Sequence, residues 1–256
     1  MNSSKYLACA AVVLTLLFGA GAHAEQKSLR IATEGTYPPF SYLENGQLTG
    51  FDVDIAKALC ERIQARCEIV SQGWDGMIPG LMSGKYDAVV ASMAITEERK
   101  QKIDFTDKYY ATPARFIAEK SAGISDTSVA GMAGKVIGVQ GSTTQGSYLE
   151  DFYKDSEIKV YKTVDDAAMD LANGRLDAVF SDSAILYPWL QTSLGTCCDF
   201  VGQEVRDDKY FGVGKGIGVR KEDQALRGEL DTAIKALLAD GTYQRINQKY
   251  FPFAIY

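Results

Sequence analysis

Two polar residues hold matching places in a repeated phrase. Ser83-Gly84-Lys85-Tyr86-Asp87-Ala88-Val89 and Asn173-Gly174-Arg175-Leu176-Asp177-Ala178-Val179 share glycine, a basic residue, a bulky ring or leucine, then Asp-Ala-Val. Each phrase runs into a short apolar stretch, and counting from the glycine, Ser92 and Asp182 fall at the same step. Oxygen-bearing side chains at the carboxyl ends of two strands are suited to a ligand held between two similar units, because open α/β sheets bind there. Arg99, in Ile95-Thr96-Glu97-Glu98-Arg99, and Glu34, in the loop Glu34-Gly35-Thr36, add charges of both signs. The chemistry on offer is recognition by ion pairs and hydrogen bonds. The usual catalytic tools are scarce, since the single histidine, His23, lies in a leader-like segment. Beyond that leader there is no histidine for a Ser-His-Asp triad, a Cys-His pair or a His-ligated metal, and no cofactor is called for.

Residues 1–24 read as a secretory signal peptide. Lys5 precedes an apolar run from Leu7 to Phe18, and Ala22-His23-Ala24 is a small-x-small cleavage site. The run is too short for a membrane span, and Cys9 lies near its start rather than after it, so a lipid anchor is not expected. The expected product is exported to the periplasm. The chain carries 27 Lys and Arg against 33 Asp and Glu, a net charge of -6, with no basic block, so no nucleic-acid partner is expected. Of the five cysteines, four follow the leader, and four allow three pairings. Cys60 and Cys67 are the natural pair, but not on one continuous helix, where seven residues rise roughly 10 Å and a disulfide needs Cα atoms within about 7 Å. The helix begun near Phe51 must therefore end around Ile63 to Ala65. Adjacent Cys197 and Cys198 lean to a vicinal disulfide in a loop.

Alternating elements position these residues. Strands are expected at Leu29–Thr33, Cys67–Val70 and Lys135–Gln140, and a turn around Asn45-Gly46. Helices are expected at Asp52–Arg62, with Val53, Ile55, Ala56, Leu59 and Cys60 on its apolar side, and at Trp74–Met82, Ser147–Tyr153, Val164–Leu171, Lys221–Asp240 and Tyr243–Tyr250. Such alternation gives mostly parallel sheets. Glu34-Gly35-Thr36 in the first unit parallels Gln140-Gly141-Ser142 in the second. The segment Gly212–Val219 and the closing helices have no repeat, so they are expected to return to the first unit. The expected division is 25–112 plus 207–256 for one lobe and 113–206 for the other, with crossovers near Tyr110 to Ala114 and Val205 to Lys209.

With those residues in place the chain resembles a known family. Thr36-Tyr37-Pro38-Pro39-Phe40, Gly50-Phe51-Asp52-Val53-Asp54, Trp74-Asp75-Gly76-Met77-Ile78-Pro79, Ile95-Thr96-Glu97-Glu98-Arg99, Asp104-Phe105-Thr106, Gly174-Arg175-Leu176-Asp177-Ala178 and Asp240-Gly241-Thr242-Tyr243 resemble the periplasmic amino-acid-binding proteins of ABC importers. The match spans the whole exported chain. It is nearest to the lysine/arginine/ornithine-binding branch, which has a pair matching Cys60 and Cys67. The resemblance implies a two-lobed α/β fold of the type II periplasmic-binding-protein kind, with two hinge crossovers and closure over the ligand.

The resemblance also implies a site. Arg99 would grip an α-carboxylate with its planar fork, helped by Thr144 and Thr143 from the other lobe, with Gln145 beside them. Asp182 would take the α-ammonium, with the Ser92, Met93 and Ala94 region as its first-lobe counterpart. Ala94 stands where the branch often has serine, which removes one hydroxyl. Glu34 would meet a distal cation, where the branch usually shows the shorter aspartate. Tyr37 and Trp74 would sandwich the ligand's stem, a guanidinium stacking there gaining roughly 0.5–2 kcal/mol. Trp74 stands where phenylalanine is common. The expected ligand is a cationic L-amino acid, in the order arginine, ornithine, lysine, and the expected partner is an inner-membrane ABC permease served by a monomer. Other expectations on the same fold are an exported cyclohexadienyl-dehydratase-like enzyme using Glu34 as general acid, with Asp182 expected to repel its second carboxylate, and a module presenting amino acids to a membrane sensor.

Overall fold

The computed structural model describes residues 26–256; the expected signal segment lies outside them. Two five-stranded sheets form the frame, one in each α/β lobe. The first has the strand order Arg66–Ser71, Ser28–Thr33, Ala88–Val89, Gly218–Val219, Asp104–Phe105, and the second Glu157–Tyr161, Val136–Gln140, Ala178–Asp182, Ala114–Glu119, Cys198–Val205. In both, the first three strands run parallel and the fourth antiparallel to its neighbours. The mostly parallel expectation holds, with one reversed strand per sheet.

That reversed strand has the same topological cause in each sheet. Gly218–Val219 enters the first sheet after the chain has built the second. Ala114–Glu119 is the first strand after the chain leaves the first sheet. The return of the last segment to the first sheet is thus observed.

The helices follow their apolar faces. Helix Phe51–Arg62 buries Phe51, Val53, Ile55, Ala56, Leu59 and Cys60, the side expected from spacing. It stops at Ile63, and Gln64 adopts φ 54°, which turns the chain back. Cys60 and Cys67 then pair with Cα atoms 6.1 Å apart. Cys197 pairs with Cys198. Expected helix Trp74–Met82 is two pieces, a tight 3-10 turn at Trp74–Gly76 and an α-helix at Met77–Met82, so Trp74 sits at a bend. The expected helix at Ser147 begins at Thr144, and the long helix runs Gln224–Ala239. An aromatic cluster of Phe40, Phe51, Tyr109, Tyr110 and Phe251 packs where the chain leaves the first lobe. None of the described helices is long and apolar enough to cross a membrane.

Candidate functional site

The loops at the strand ends converge on one cavity of about 330 Å³ of empty space, part of it open to solvent. It is lined from the first lobe by Glu34, Tyr37, Trp74, Ala91, Ser92, Ala94, Arg99 and Lys215, and from the second by Gln140, Thr143, Thr144 and Gln145. Nine of the residues singled out from sequence are therefore brought together here: Glu34, Tyr37, Trp74, Ser92, Ala94, Arg99, Thr143, Thr144 and Gln145. Met93 instead packs in the first-lobe core, and Asp182 lies behind the wall.

Arg99 is placed by a short helix, Glu97–Lys100, whose first turn is capped by Thr96: its hydroxyl accepts the Arg99 amide at 3.3 Å. The guanidinium donates to the Ala94 carbonyl at 3.1 Å and lies over the Trp74 ring, 5.2 Å from its centroid. Burial lowers its pKa to about 10, which leaves it charged at neutral pH. A fork with donors to spare, held by one backbone carbonyl and one aromatic face, is prepared for a carboxylate. Trp74 therefore stacks on the protein's own cation, and its Nε1 donates across the cleft to the Ser142 carbonyl at 2.8 Å.

The second-lobe wall is a helix start. Strand Val136–Gln140 leads to Ser142 at φ 56°, and Thr143 caps helix Thr144–Phe152, its hydroxyl accepting the Gly146 amide at 3.1 Å. The Thr143 hydroxyl donates to the Gln140 carbonyl at 2.7 Å and that of Thr144 to the Gln145 side chain at 3.1 Å. A helix of nine residues with its first turn at the cavity wall adds a favourable field for an anion.

Glu34 directly follows strand Ser28–Thr33 and is only 5% exposed. Gly35 makes this possible: it has φ +82°, and an added Cβ would meet Ser71 Oγ at 2.8 Å. Gln140 Nε2 donates to Glu34 Oε1 at 2.7 Å from the opposite lobe. Burial raises the carboxyl pKa to about 7, against the opposing pull of the Gln140 and Thr36 hydrogen bonds.

Ser92 sits at φ 55°, unusual for a residue with a side chain. Its hydroxyl donates to Asp52 Oδ2 at 2.8 Å, and its amide to the Tyr109 hydroxyl at 2.9 Å, which donates in turn to Asp52 Oδ1 at 2.8 Å. Asp52 is fully buried and its pKa is pushed up to about 7 by burial. The Ser92 hydroxyl is thus committed to holding the loop.

Asp182 ends strand Ala178–Asp182 and caps the next helix. Its Oδ1 accepts from the Ala184 amide at 3.0 Å and the Thr112 hydroxyl at 2.5 Å. Its Oδ2 lies 3.2 Å from Lys215 Nζ, an ion pair without the alignment of a hydrogen bond, and is sealed from solvent. Sequence reasoning missed Ala91, Gln140, Lys215 and Asp52. Ala91 adjoins Ser92, and Gln140 was legible only as the counterpart of Glu34 in the paired loops. Asp52 was legible only as part of a motif, and Lys215 only as a cation inside the glycine-rich run Gly212–Gly218.

The chain matches the family of bacterial extracellular solute-binding proteins, family 3, over residues 29–253. It is 46% identical over 237 residues to the L-arginine-binding protein of Pseudomonas aeruginosa, covering 91% of each chain. It is 43% identical over 234 residues to the histidine-binding periplasmic protein of Salmonella typhimurium, covering 90% of each. Among solved structures, a Salmonella typhimurium periplasmic binding protein described for its high arginine specificity superimposes with a TM-score of 0.81 at 33% identity, over 88% of this chain and 99% of that one. Two lobes with equivalent sheets, a cleft lined from both, and these likenesses lead to one conclusion: the chain belongs to the bacterial extracellular solute-binding proteins, family 3.

Proposed function

We propose that the protein is a periplasmic, monomeric binding protein that captures a cationic L-amino acid between its lobes and delivers it to an inner-membrane ABC permease. The candidates rank arginine, ornithine, lysine. The lobes would comprise 25–112 plus 207–256 and 113–206. The observation that carries the reading is one cavity lined by a buried guanidinium, Arg99, and a buried carboxylate, Glu34, with walls from both sheets. Such a site suits a ligand with a carboxylate and a cation, and closure is stabilised only when both lobes are engaged. The relatives named for arginine and histidine binding support the same ligand class.

One observation favours a second reading. A carboxyl poised near neutrality, as Glu34 is, suits a general acid, as a cyclohexadienyl-dehydratase-like enzyme needs. The expected repulsion of a second carboxylate by Asp182 is removed by Lys215, which neutralises it. Against the enzyme stands the binding role in the names of relatives above 40% identity.

A thermal-shift screen of the exported chain against the common amino acids, prephenate and arogenate separates these. A large rise confined to arginine, ornithine and lysine, lost in Glu34→Ala, is the expected result. A rise with neutral or acidic amino acids alone overturns the basic specificity. Conversion of prephenate or arogenate to an aromatic product establishes the enzyme.

A further inference from the structure

Gln140 lines the ligand cavity from the second lobe, and the proposed function gives it no role. It is the last residue of strand Val136–Gln140 and is 5% exposed. Its main chain is fixed: Tyr161 pairs with it from the neighbouring strand, and its carbonyl accepts from the Thr143 hydroxyl at 2.7 Å. The side-chain amide is fixed as well. Nε2 donates to Glu34 Oε1 at 2.7 Å and to the Lys162 carbonyl at 3.2 Å. A carbonyl only accepts, so the amide must turn its nitrogen toward Lys162, and a primary amide has two donors. Both are used, and the amide oxygen is left over.

Glu34 has a matching remainder. The Gln140 amide and the Thr36 hydroxyl, at 3.4 Å, both fall on its Oε1. Among the described residues neither Glu34 Oε2 nor Gln140 Oε1 takes a hydrogen bond, yet neither is sealed from solvent. Acceptors of nearly buried residues are ordinarily paired, and here both belong to the cavity lining. Glu34 is also the single carboxylate of that lining, which holds Arg99 and Lys215 as cations. A cation drawn to Glu34 therefore meets two open acceptors, one from each lobe.

We infer that Gln140 is a specificity-determining residue: its amide oxygen and the free oxygen of Glu34 form a seat of two acceptors that selects a guanidinium over a primary ammonium at the far end of the ligand. The inference rests on the reading that Glu34 receives the distal cation. The two oxygens lie on separate planar groups joined by one hydrogen bond. An ammonium is a compact point of charge, whereas a guanidinium carries five donors in a rigid plane. A guanidinium serves the carboxylate and the amide together. An ammonium centred on the carboxylate leaves the amide oxygen covered and without a donor, and an unmet buried acceptor is costly. The seat is complete only when the lobes are together, so the contact that reads the ligand also favours closure.

Titration calorimetry on the exported chain with L-arginine, L-ornithine and L-lysine tests this, on the unaltered protein and on Gln140→Leu. Arginine is expected to bind about tenfold or more tightly than either ammonium ligand to the unaltered protein, and that margin is expected to shrink about fivefold or more in Gln140→Leu. The substitution also breaks the bond to Glu34 and loosens the joined lobes, but that burden falls on all three ligands alike. The margin, not the affinity, therefore reads the contact with the ligand. Ornithine or lysine binding as tightly as arginine to the unaltered protein overturns the inference while leaving the basic-ligand reading intact. A margin that survives in Gln140→Leu also overturns it, because Gln140 is then only a bridge between lobes. Failure of all three to bind overturns the reading of Glu34, and the inference with it. If Gln140→Leu does not fold, symmetric dimethyl-L-arginine decides the matter on the unaltered protein. It keeps the charge and loses a donor from each terminal nitrogen, so it is expected to bind about tenfold more weakly than arginine, and equal binding overturns the inference.

Discussion

Glu34 is a carboxyl whose setting works against its charge. Its neutral form is favoured by burial, and its pKa stands at about 7 against 4.5 for an unperturbed glutamic acid. Between those values the folded chain holds a proton that the unfolded chain has released, so stability falls as pH rises from about 4.5 to about 7, by up to about 1.4 kcal/mol per pH unit for this group. Asp52, raised to about 7 from 3.8, adds to the same trend. Denaturant midpoints of the ligand-free protein are therefore expected to be higher at pH 5 than at pH 8, with a shallower slope in Glu34→Gln. Binding has the opposite sign. A distal cation requires the ionised form, so arginine affinity is expected to rise about tenfold per pH unit toward pH 7 and then level. Calorimetry in buffers of different ionisation heat will show proton release on binding, absent in Glu34→Gln.

Helix Phe51–Arg62 shows how an element is shaped by its ends. Its apolar face was readable because burial repeats with the helical period. Its stop at Ile63 was readable because a bridge from Cys60 to Cys67 forbids a continuous helix, and the structure closes that bridge at 6.1 Å between Cα atoms. The loop it closes is short. Replacing both cysteines by serine is expected to lower stability by about 2 kcal/mol through loop entropy, seen as a lower urea midpoint, with ligand ranking unchanged because the pair lies away from the cavity lining. The 3-10 turn at Trp74–Gly76 was not readable in the same way. A bend of three residues has no periodic signature, and it is this bend that carries Trp74 to Arg99 and Ser142.

Among the described residues, two direct hydrogen bonds bridge the lobes at the cavity: Trp74 Nε1 to the Ser142 carbonyl, and Gln140 Nε2 to Glu34. Each bridging hydrogen bond is worth about 1 kcal/mol net, so each shifts the balance between separated and joined lobes about fivefold. Trp74→Phe keeps a ring for Arg99 and removes the donor. It is expected to weaken arginine binding about fivefold by calorimetry, and to increase the radius of gyration of the ligand-free protein in solution scattering. Glu34→Gln retains a side chain that can bond Gln140, so its scattering is expected to match that of the unaltered protein even as arginine affinity falls.

The two-lobed plan and most of the cavity lining are legible in the linear chain. Local periodicity, the glycine-basic repeat and the short motifs around Arg99 and Thr143 are set within a few residues, and each side chain is delivered by the strand end or helix start beside it. The partners of these side chains emerge on folding. Lys215 lies just before a strand of the first sheet and Asp182 ends a strand of the second, and nothing local to either says that the two pair. The same holds for the Arg99 and Trp74 stack and for Gln140 on Glu34. Long-range ion pairs depend on where folding brings two charges and how dry that place is, and a linear pattern encodes neither. That is why charges of both signs were visible at the outset, while their pairing came from the fold.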